Sequence, residues 1–280
     1  GAGKDACPRG RQEQRQGRLT AVAGRILRSH EGSIATITIA NPGKLNAVDL
    51  GMWQQLEATM LALSDDPAVR CVIVRGEGDE AFAAGGDLEE FLTARDTVDK
   101  AMHYHRCVGR ALKSIGDCPH PTIAAIRGPC IGGGLEIAAQ CDLRLAAESS
   151  KFGAPINRIG FSMYPEEMAG LLRLAGPAVV LEILLEGRIL NAAEALQKGL
   201  LSRVVPDAQL VDEVAASARR ICDGAPLVAR WHKQWAQRLQ HDVPLTEDEL
   251  RSSFAFLDTD DYREGLAAFL EKRKPRFRGR

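Results

Sequence analysis

The sequence has little of what would place it outside the ordinary soluble class. No uncharged apolar stretch approaches the roughly 18 residues that read as a membrane span. The run Ala178–Leu185 comes nearest, and Glu182 and Glu186 interrupt it. Neither charge is in excess: 36 basic against 37 acidic side chains leave a formal net charge of -1. Such a chain has no basic field to hold a phosphate backbone, so neither nucleic acid nor membrane is an expected partner. The first twenty residues lack the apolar segment of a secretory signal, and Asp5, Pro8 and Glu13 fit a transit peptide poorly. Residues 1–18, with Arg9, Arg11, Arg15 and Arg18, read instead as a solvated basic tail.

Also missing are Cys-x-x-Cys, His-Glu-x-x-His and Gly-x-Ser-x-Gly sequences, which removes common redox, zinc and serine-hydrolase signatures. His103 and His105 stand two apart in a helical stretch, face different ways and make a poor metal pair. No metal is expected. The seven cysteines (7, 71, 107, 118, 130, 141 and 222) are odd in number and dispersed. In a chain of 280 residues, large enough to need no staples, they read as reduced thiols of a cytoplasmic protein. Cys130, beside a glycine run, reads as a small buried filler.

What is present is an alternation of strands and helices. Residues 33–39 alternate apolar and small polar side chains, as a half-buried strand does. Residues 71–75, 122–126 and 143–146 are shorter, nearly continuous apolar strands of the kind covered on both faces. Helices are expected over 49–64, with Asp49 as cap, and over 97–115. The fold class is α/β with parallel crossovers over residues 19–206. From about residue 207 the pattern is helical almost throughout (210–221, 227–239, 246–257, 262–273), a C-terminal subdomain reaching residue 280. The last helix gathers Leu266, Phe269 and Leu270 on one side, an apolar stripe expected to pack on the chain's own core.

Three glycine-rich segments invite a functional reading. Gly76–Ala81 formally matches a dinucleotide fingerprint, but Glu77, Asp79 and Glu80 would crowd a pyrophosphate, so a surface turn is expected. Ala83–Leu88 and Ile131–Glu136 share another design, each following a strand and entering a helix. Glycines there leave backbone N–H groups bare, and two such groups converging on one oxygen make an oxyanion hole. Glu136, three residues after Gly133 and set among Ile131, Leu135, Ile137, Ala138 and Ala139, is placed as an acid/base whose pKa burial raises. The competing role is a buried ion pair with Arg127 or Arg144.

Five ordered segments carry a family resemblance: Asn41–Ala47, Ala81–Leu88, Ala125–Glu136, Ala193–Val205 and Glu264–Phe277. With them the chain resembles the enoyl-CoA hydratase/isomerase (crotonase) superfamily over nearly all its length after the tail. The resemblance implies a crotonase-like spiral of β-β-α turns, a helical C-terminal region that builds homotrimers or dimers of trimers, and an acyl-CoA thioester substrate. It implies no cofactor beyond the coenzyme A carried by that substrate. By position it makes the N–H groups of Gly86 and Gly133 the oxyanion donors, with Gly132 beside them, and Glu136 a catalytic glutamate. It gives coenzyme A to Lys44, Leu45, Ala84, Asp87 and Leu88, with Phe269 and Lys272 closing over it.

One departure decides the chemistry to be expected. After Phe152–Pro155 the hydratases of the family place a second catalytic glutamate, and this chain has Ile156. Glu166 and Glu167 fall in a nearby loop where some isomerases of the family carry an acid, and either is a candidate replacement; both also suit a helix start. The expected reaction is hydration of a 2-enoyl-CoA. A double-bond shift by one carboxylate is the close alternative, and a non-catalytic acyl-CoA-binding or scaffold protein is the alternative of another class.

Overall fold

The computed structural model describes residues 23–280, so the tail expected at 1–18 lies outside the described residues. The chain opens with β1 (Arg25–Glu31) and β2 (Ile34–Ala40), an antiparallel pair in register from Arg25 opposite Ala40 to Glu31 opposite Ile34. Strand β2 buries Ala35, Ile37 and Ile39 on one face, as its alternation dictates. Sequence pattern gives no sign of β1, because an edge strand with almost every side chain exposed has no apolar period.

Next come α1 (Leu50–Ser64), β3 (Cys71–Gly76), α2 (Leu88–Ala94), α3 (Val98–Gly116), β4 (Thr122–Ile126), β5 (Pro129–Ile131) and α4 (Gly133–Gln140). Then follow β6 (Leu143–Ala147), β7 (Lys151–Gly153), α5 (Pro165–Glu186), β8 (Ile189–Asn191), α6 (Ala192–Gln197) and β9 (Arg203–Val205). The larger sheet runs β1-β2-β3-β4-β6-β9, parallel from β2 onward; the smaller runs β5-β7-β8. The expected β-β-α spiral is visible in the connections. β4, β5 and α4 form one turn, with a strand in each sheet and then a helix, and β6, β7 and α5 form the next. Earlier turns continue the small sheet as single bridges, Val48 to Gly86 and Ala83 to Cys130. That stacking sets the two glycine segments side by side.

Caps follow the sequence. The Asp49 side chain accepts from the Met52 N–H at 2.8 Å, and Met52, Trp53, Leu56, Met60 and Leu63 on α1 are buried in the main core. Gly76–Ala81 is a turn, as expected. Two helices differ from expectation. The helix expected over 246–257 is α9 (Glu247–Ser252), broken before a short 3-10 turn at Ala255–Asp258. The helix starting near Glu167 runs on as α5 to Glu186, with a break at Gly176 (φ 73°, ψ 168°) ahead of Pro177. By length and composition α5 is long and apolar enough to cross a membrane, although Arg173 and Glu182 interrupt its apolar run. It is nevertheless tied into this fold, packing Leu171, Val180 and Ile183 into the core.

The C-terminal region contains α7 (Leu210–Cys222), α8 (Pro226–Arg238), α9 and α10 (Asp260–Leu270). Helix α7 covers the outer face of the large sheet: Leu210, Val214 and Ala218 form a second core with Cys71, Ile123, Leu145 and Ala147. Its amphipathic period is satisfied there, so the step at residue 207 changes element type and keeps the sheet as common ground. The stripe on α10 does not behave as expected. Leu266, Phe269 and Leu270 are exposed, and the helix buries only Asp261 and Ala268. Asp261 is held by N–H groups of the returning tail, Arg278 at 2.6 Å and Gly279 at 2.8 Å, which fixes the polar side inward.

Candidate active site

The first glycine segment is a strand-like strip between two turns of the spiral. Val48 N–H donates to Gly85 C=O at 2.8 Å and Asp87 N–H to Val48 C=O at 3.1 Å; on the other side Ile131 N–H donates to Ala83 C=O at 3.0 Å. Gly85 (φ 108°) and Gly132 (φ 50°) occupy backbone regions that favour glycine. A Cβ on Gly133 would stand 3.6 Å from the Gly85 carbonyl carbon, so the two segments touch. The N–H groups of Gly86 and Gly133 donate to no group among the described residues. Gly132 differs: its N–H is taken by Gly153 C=O at 2.9 Å, so it contributes shape and no free donor.

Glu136 lies in the first turn of α4 and is buried. Its carboxyl group meets neither expected arginine. Arg127 binds Asp79 at 2.7 Å and the Asp207 carbonyl at 2.8 Å, and Arg144 donates to the carbonyls of Leu200 (2.9 Å) and Cys141. Burial pushes the Glu136 carboxyl well above the usual range, the nearby Glu167 adds to the rise, and Arg95 opposes it.

Glu166 and Glu167 part company at the start of α5. Glu167 is buried and its Oε1 lies 2.5 Å from His105 Nδ1. Glu166 is exposed on the opposite side, with its Oε2 against Gly109. It lines a cavity of about 1210 Å³ beside Arg106, Arg110 and Arg173; that cavity includes neither Glu136 nor Gly86 nor Gly133. Ile156 begins a short 3-10 turn (Ile156–Ile159) and packs half-buried on the main core, so the position stays apolar.

The residues expected to meet coenzyme A are divided. Lys44 Nζ is 2.7 Å from Asp87 and 2.9 Å from Glu89; these bonds raise its pKa above the ordinary lysine value. Asp87 also caps α2, accepting from Glu89 N–H at 3.1 Å. Ala84 N–H donates to Leu45 C=O at 3.0 Å, and Leu45 and Leu88 expose their side chains beside this strip. Phe269 is 81% exposed and Lys272 is exposed beyond the end of α10. Helix α10 packs on the Ala255–Asp258 turn.

Several neighbours of the pair escaped sequence reading. Arg95 Nη2 is 2.7 Å from His105 Nε2, and its guanidinium sits 4.1 Å from the Phe91 ring centre and 4.3 Å from that of Phe161. Tyr164 stacks on His105 with ring centres 4.7 Å apart. The signal for His105 was its place on the α3 face that buries Tyr104, Val108, Ala111, Leu112 and Ile115. No group of three His, Cys, Asp or Glu side chains is arranged to hold a metal among the described residues.

With this geometry in view, the comparisons with known proteins agree. The enoyl-CoA hydratase/isomerase family model matches residues 29–280. A probable enoyl-CoA hydratase of Mycobacterium bovis is 35% identical over 259 residues, covering 90% of this chain and 97% of the relative. A crotonyl-CoA hydratase of Syntrophomonas wolfei is 33% identical over 254 residues, covering 90% and 97%. The crystal structure of an enoyl-CoA hydratase/carnithine racemase from Magnetospirillum magneticum superposes with a TM-score of 0.90 at 50% identity, covering 91% of this chain and 96% of that one. The chain belongs to the enoyl-CoA hydratase/isomerase family and has its crotonase fold.

Proposed function

We propose that the protein hydrates a 2-enoyl-CoA to a 3-hydroxyacyl-CoA, with Glu136 and Glu167 as the carboxylate pair. The observation that carries this reading is the burial of Glu167 close enough to Glu136 to raise its proton affinity, while Ile156 leaves its own position apolar. The thioester oxygen sits between the N–H groups of Gly86 and Gly133. Glu167 takes a proton from water as the water oxygen bonds to C3. The C2–C3 π electrons move toward the thioester, and the enolate charge falls on the oxygen held by the two amides. Glu136, kept protonated by its surroundings, then gives its proton to C2. Proton exchange with solvent restores both groups. One donor of such a hole typically contributes on the order of 2.7–4 kcal/mol, so the amides and the acids share the work.

The same reading gives Lys44, Leu45, Ala84, Asp87 and Leu88 to the coenzyme A moiety and needs no other cofactor. It places the protein in the cytoplasm as a homotrimer or dimer of trimers, with Leu266, Phe269 and Leu270 against a neighbouring copy. Isomerisation is the second reading, favoured by Glu136 alone having no hydrogen-bond partner among the described residues.

Incubation with crotonyl-CoA and with 3-enoyl-CoAs, alongside Glu136→Gln and Glu167→Gln, tests the assignment. Hydration by the wild type and by neither variant supports it. Double-bond migration that survives Glu167→Gln selects the isomerase, and coenzyme A binding without turnover selects a binding protein.

A further inference from the structure

Five side chains form a chain of contacts from the oxyanion segment to the second carboxylate. A Cβ on Gly86 would stand 2.8 Å from Phe91 Cζ, so the Phe91 ring lies against the glycine. Arg95 sits over that ring and over Phe161, and its Nη2 meets His105 Nε2 at 2.7 Å. His105 Nδ1 meets Glu167 Oε1 at 2.5 Å. The elements run from α2 and the residue after it, through α3, to α5.

The direction of these bonds follows from the chemistry of the first one. A guanidinium has only N–H donors and does not lose its proton in proteins. His105 Nε2 facing it is therefore the acceptor, and the ring proton resides on Nδ1. Nδ1–H then donates to Glu167 Oε1, which leaves that oxygen the accepting role. A second proton on His105 would put an N–H against the N–H of Arg95, so the imidazole cannot pass Glu167's proton onward while Arg95 stays in place. The charged and titratable groups facing this ring are Arg95 beyond α2, Tyr104 on α3, Tyr164 just before α5 and Glu167 on α5; Glu136 on α4 acts on Glu167 and Arg95, and Glu90 on α2 lies behind Tyr104. Among these Arg95 is the cation.

We propose that Arg95 is a positioning residue that locks His105 in the Nδ1–H form and thereby makes Glu167 the proton-accepting member of the carboxylate pair. This rests on the hydratase reading for its catalytic consequence, while the tautomer is a property of the protein itself. The aromatic pair around Arg95 holds a cation without quenching it, because ring faces attract the charge and leave the N–H directions free. An acid pairing with Arg95 at that point would have used the donor that His105 now receives.

Two measurements test the proposal separately. The first is the ring-nitrogen NMR spectrum of ¹⁵N-histidine-labelled protein at pH 7, with the His105 signals assigned by their loss in His105→Gln. Expected is an Nδ1–H, Nε2-acceptor pattern in the wild type that is lost or mixed in Arg95→Met and retained in Arg95→Lys. An Nε2–H ring in the wild type, or an Arg95→Met spectrum identical to wild type, overturns it. The second is the pH profile of kcat for enoyl-CoA hydration. Expected for Arg95→Met is a fall in kcat on the order of 10²-fold with KM changed less than about threefold, and an acidic limb moved to higher pH. Arg95→Lys recovers part of both. Equal loss in the Met and Lys variants with unmoved limbs, in proteins whose circular dichroism matches wild type, also overturns it. Failure of the wild type to turn over any enoyl-CoA defeats the hydratase reading instead, and the ring-nitrogen pattern then still decides the role of Arg95.

Discussion

The edge of the Trp53 ring lies against Gly133: a Cβ on that glycine would stand 3.0 Å from Cζ2 and 3.5 Å from Cη2. The indole is fully buried beneath the start of α4, so the wall behind one of the two bare amides is rigid. Gly133→Ala therefore moves the amide rather than the indole. Its expected effect is a loss of about 10²–10³ in kcat, read by steady-state hydration, with a modest fall in melting temperature. Gly134→Ala makes the comparison. Its Cβ would meet the Ala83 carbonyl oxygen at 2.3 Å, a backbone atom that cannot swing aside. That variant should lose at least about 1–3 kcal/mol of stability in urea unfolding. If Gly134→Ala is as stable as wild type, the close approach of the two segments is wrong.

Glu136 makes stability depend on pH in an unusual direction for an acid. Its folded pKa is raised above the ordinary 4.5, so above about pH 4.5 the unfolded chain releases a proton that the folded chain keeps. In that window the unfolded state binds fewer protons, and stability falls as pH rises, by at most ~1.4 kcal/mol per pH unit, until Glu136 ionises in the fold. Glu136→Gln removes the effect. Urea unfolding at pH 5, 6, 7 and 8 should show the variant gaining on wild type as pH rises, and a constant difference would refute the assignment.

Asn46 ties the turn before α1 to the turn after β3. Its Nδ2 donates to the carbonyls of Glu77 (3.1 Å) and Ala81 (2.8 Å), and its Oδ1 accepts from Asn41 N–H at 3.2 Å. The residue is buried and has φ 57°, which asparagine tolerates better than alanine. Asn46→Ala leaves the buried Ala81 carbonyl, the part-buried Glu77 carbonyl and the Asn41 amide without these partners. A loss of about 1–3 kcal/mol in urea unfolding is expected, together with weaker turnover because Ala81 leads into the Gly86 strip.

Thiol reactivity gives an inexpensive check on the core. Cys71, Cys118, Cys130 and Cys141 are buried, and burial raises the Cys130 thiol and pushes that of Cys141 up to about 12. These four should stay unmodified by an aromatic disulfide reagent at pH 8 in the native protein, and react on denaturation. Fast modification of Cys130 would contradict its place behind the Ile131–Gly133 turn.

The parts of the fold legible in sequence are those with a period long enough to count. Strands β2, β3, β4 and β6 and helices α1, α3 and α7 declare themselves through runs of buried apolar residues. Strands β5, β7 and β8 span three residues each, too few for any alternation to register. At the site, the two glycine segments and Glu136 were legible because backbone exposure and an isolated acid in apolar surroundings leave local marks. Glu167 was separable from Glu166 only through His105, 62 residues away on another helix. No local pattern reports which of two adjacent acids turns inward. The exposure of Leu266, Phe269 and Leu270 was misread for a related reason: an apolar stripe records that a face avoids water, and says nothing about what shields it.

The break at Gly176 gives α5 two separate mechanical halves. The first carries Glu167 and packs toward α4; the second, after Pro177, presents Leu181 and Leu185 outward. A continuous rod would transmit any push on its far end straight to the carboxylate. With the axis interrupted by a positive-φ glycine, the two halves share no continuous hydrogen-bonded rod across that point. Leu181 and Leu185 stand on the far side of that joint from Glu167, which makes them the natural places to alter surface behaviour while leaving the carboxylate's own turn of helix untouched.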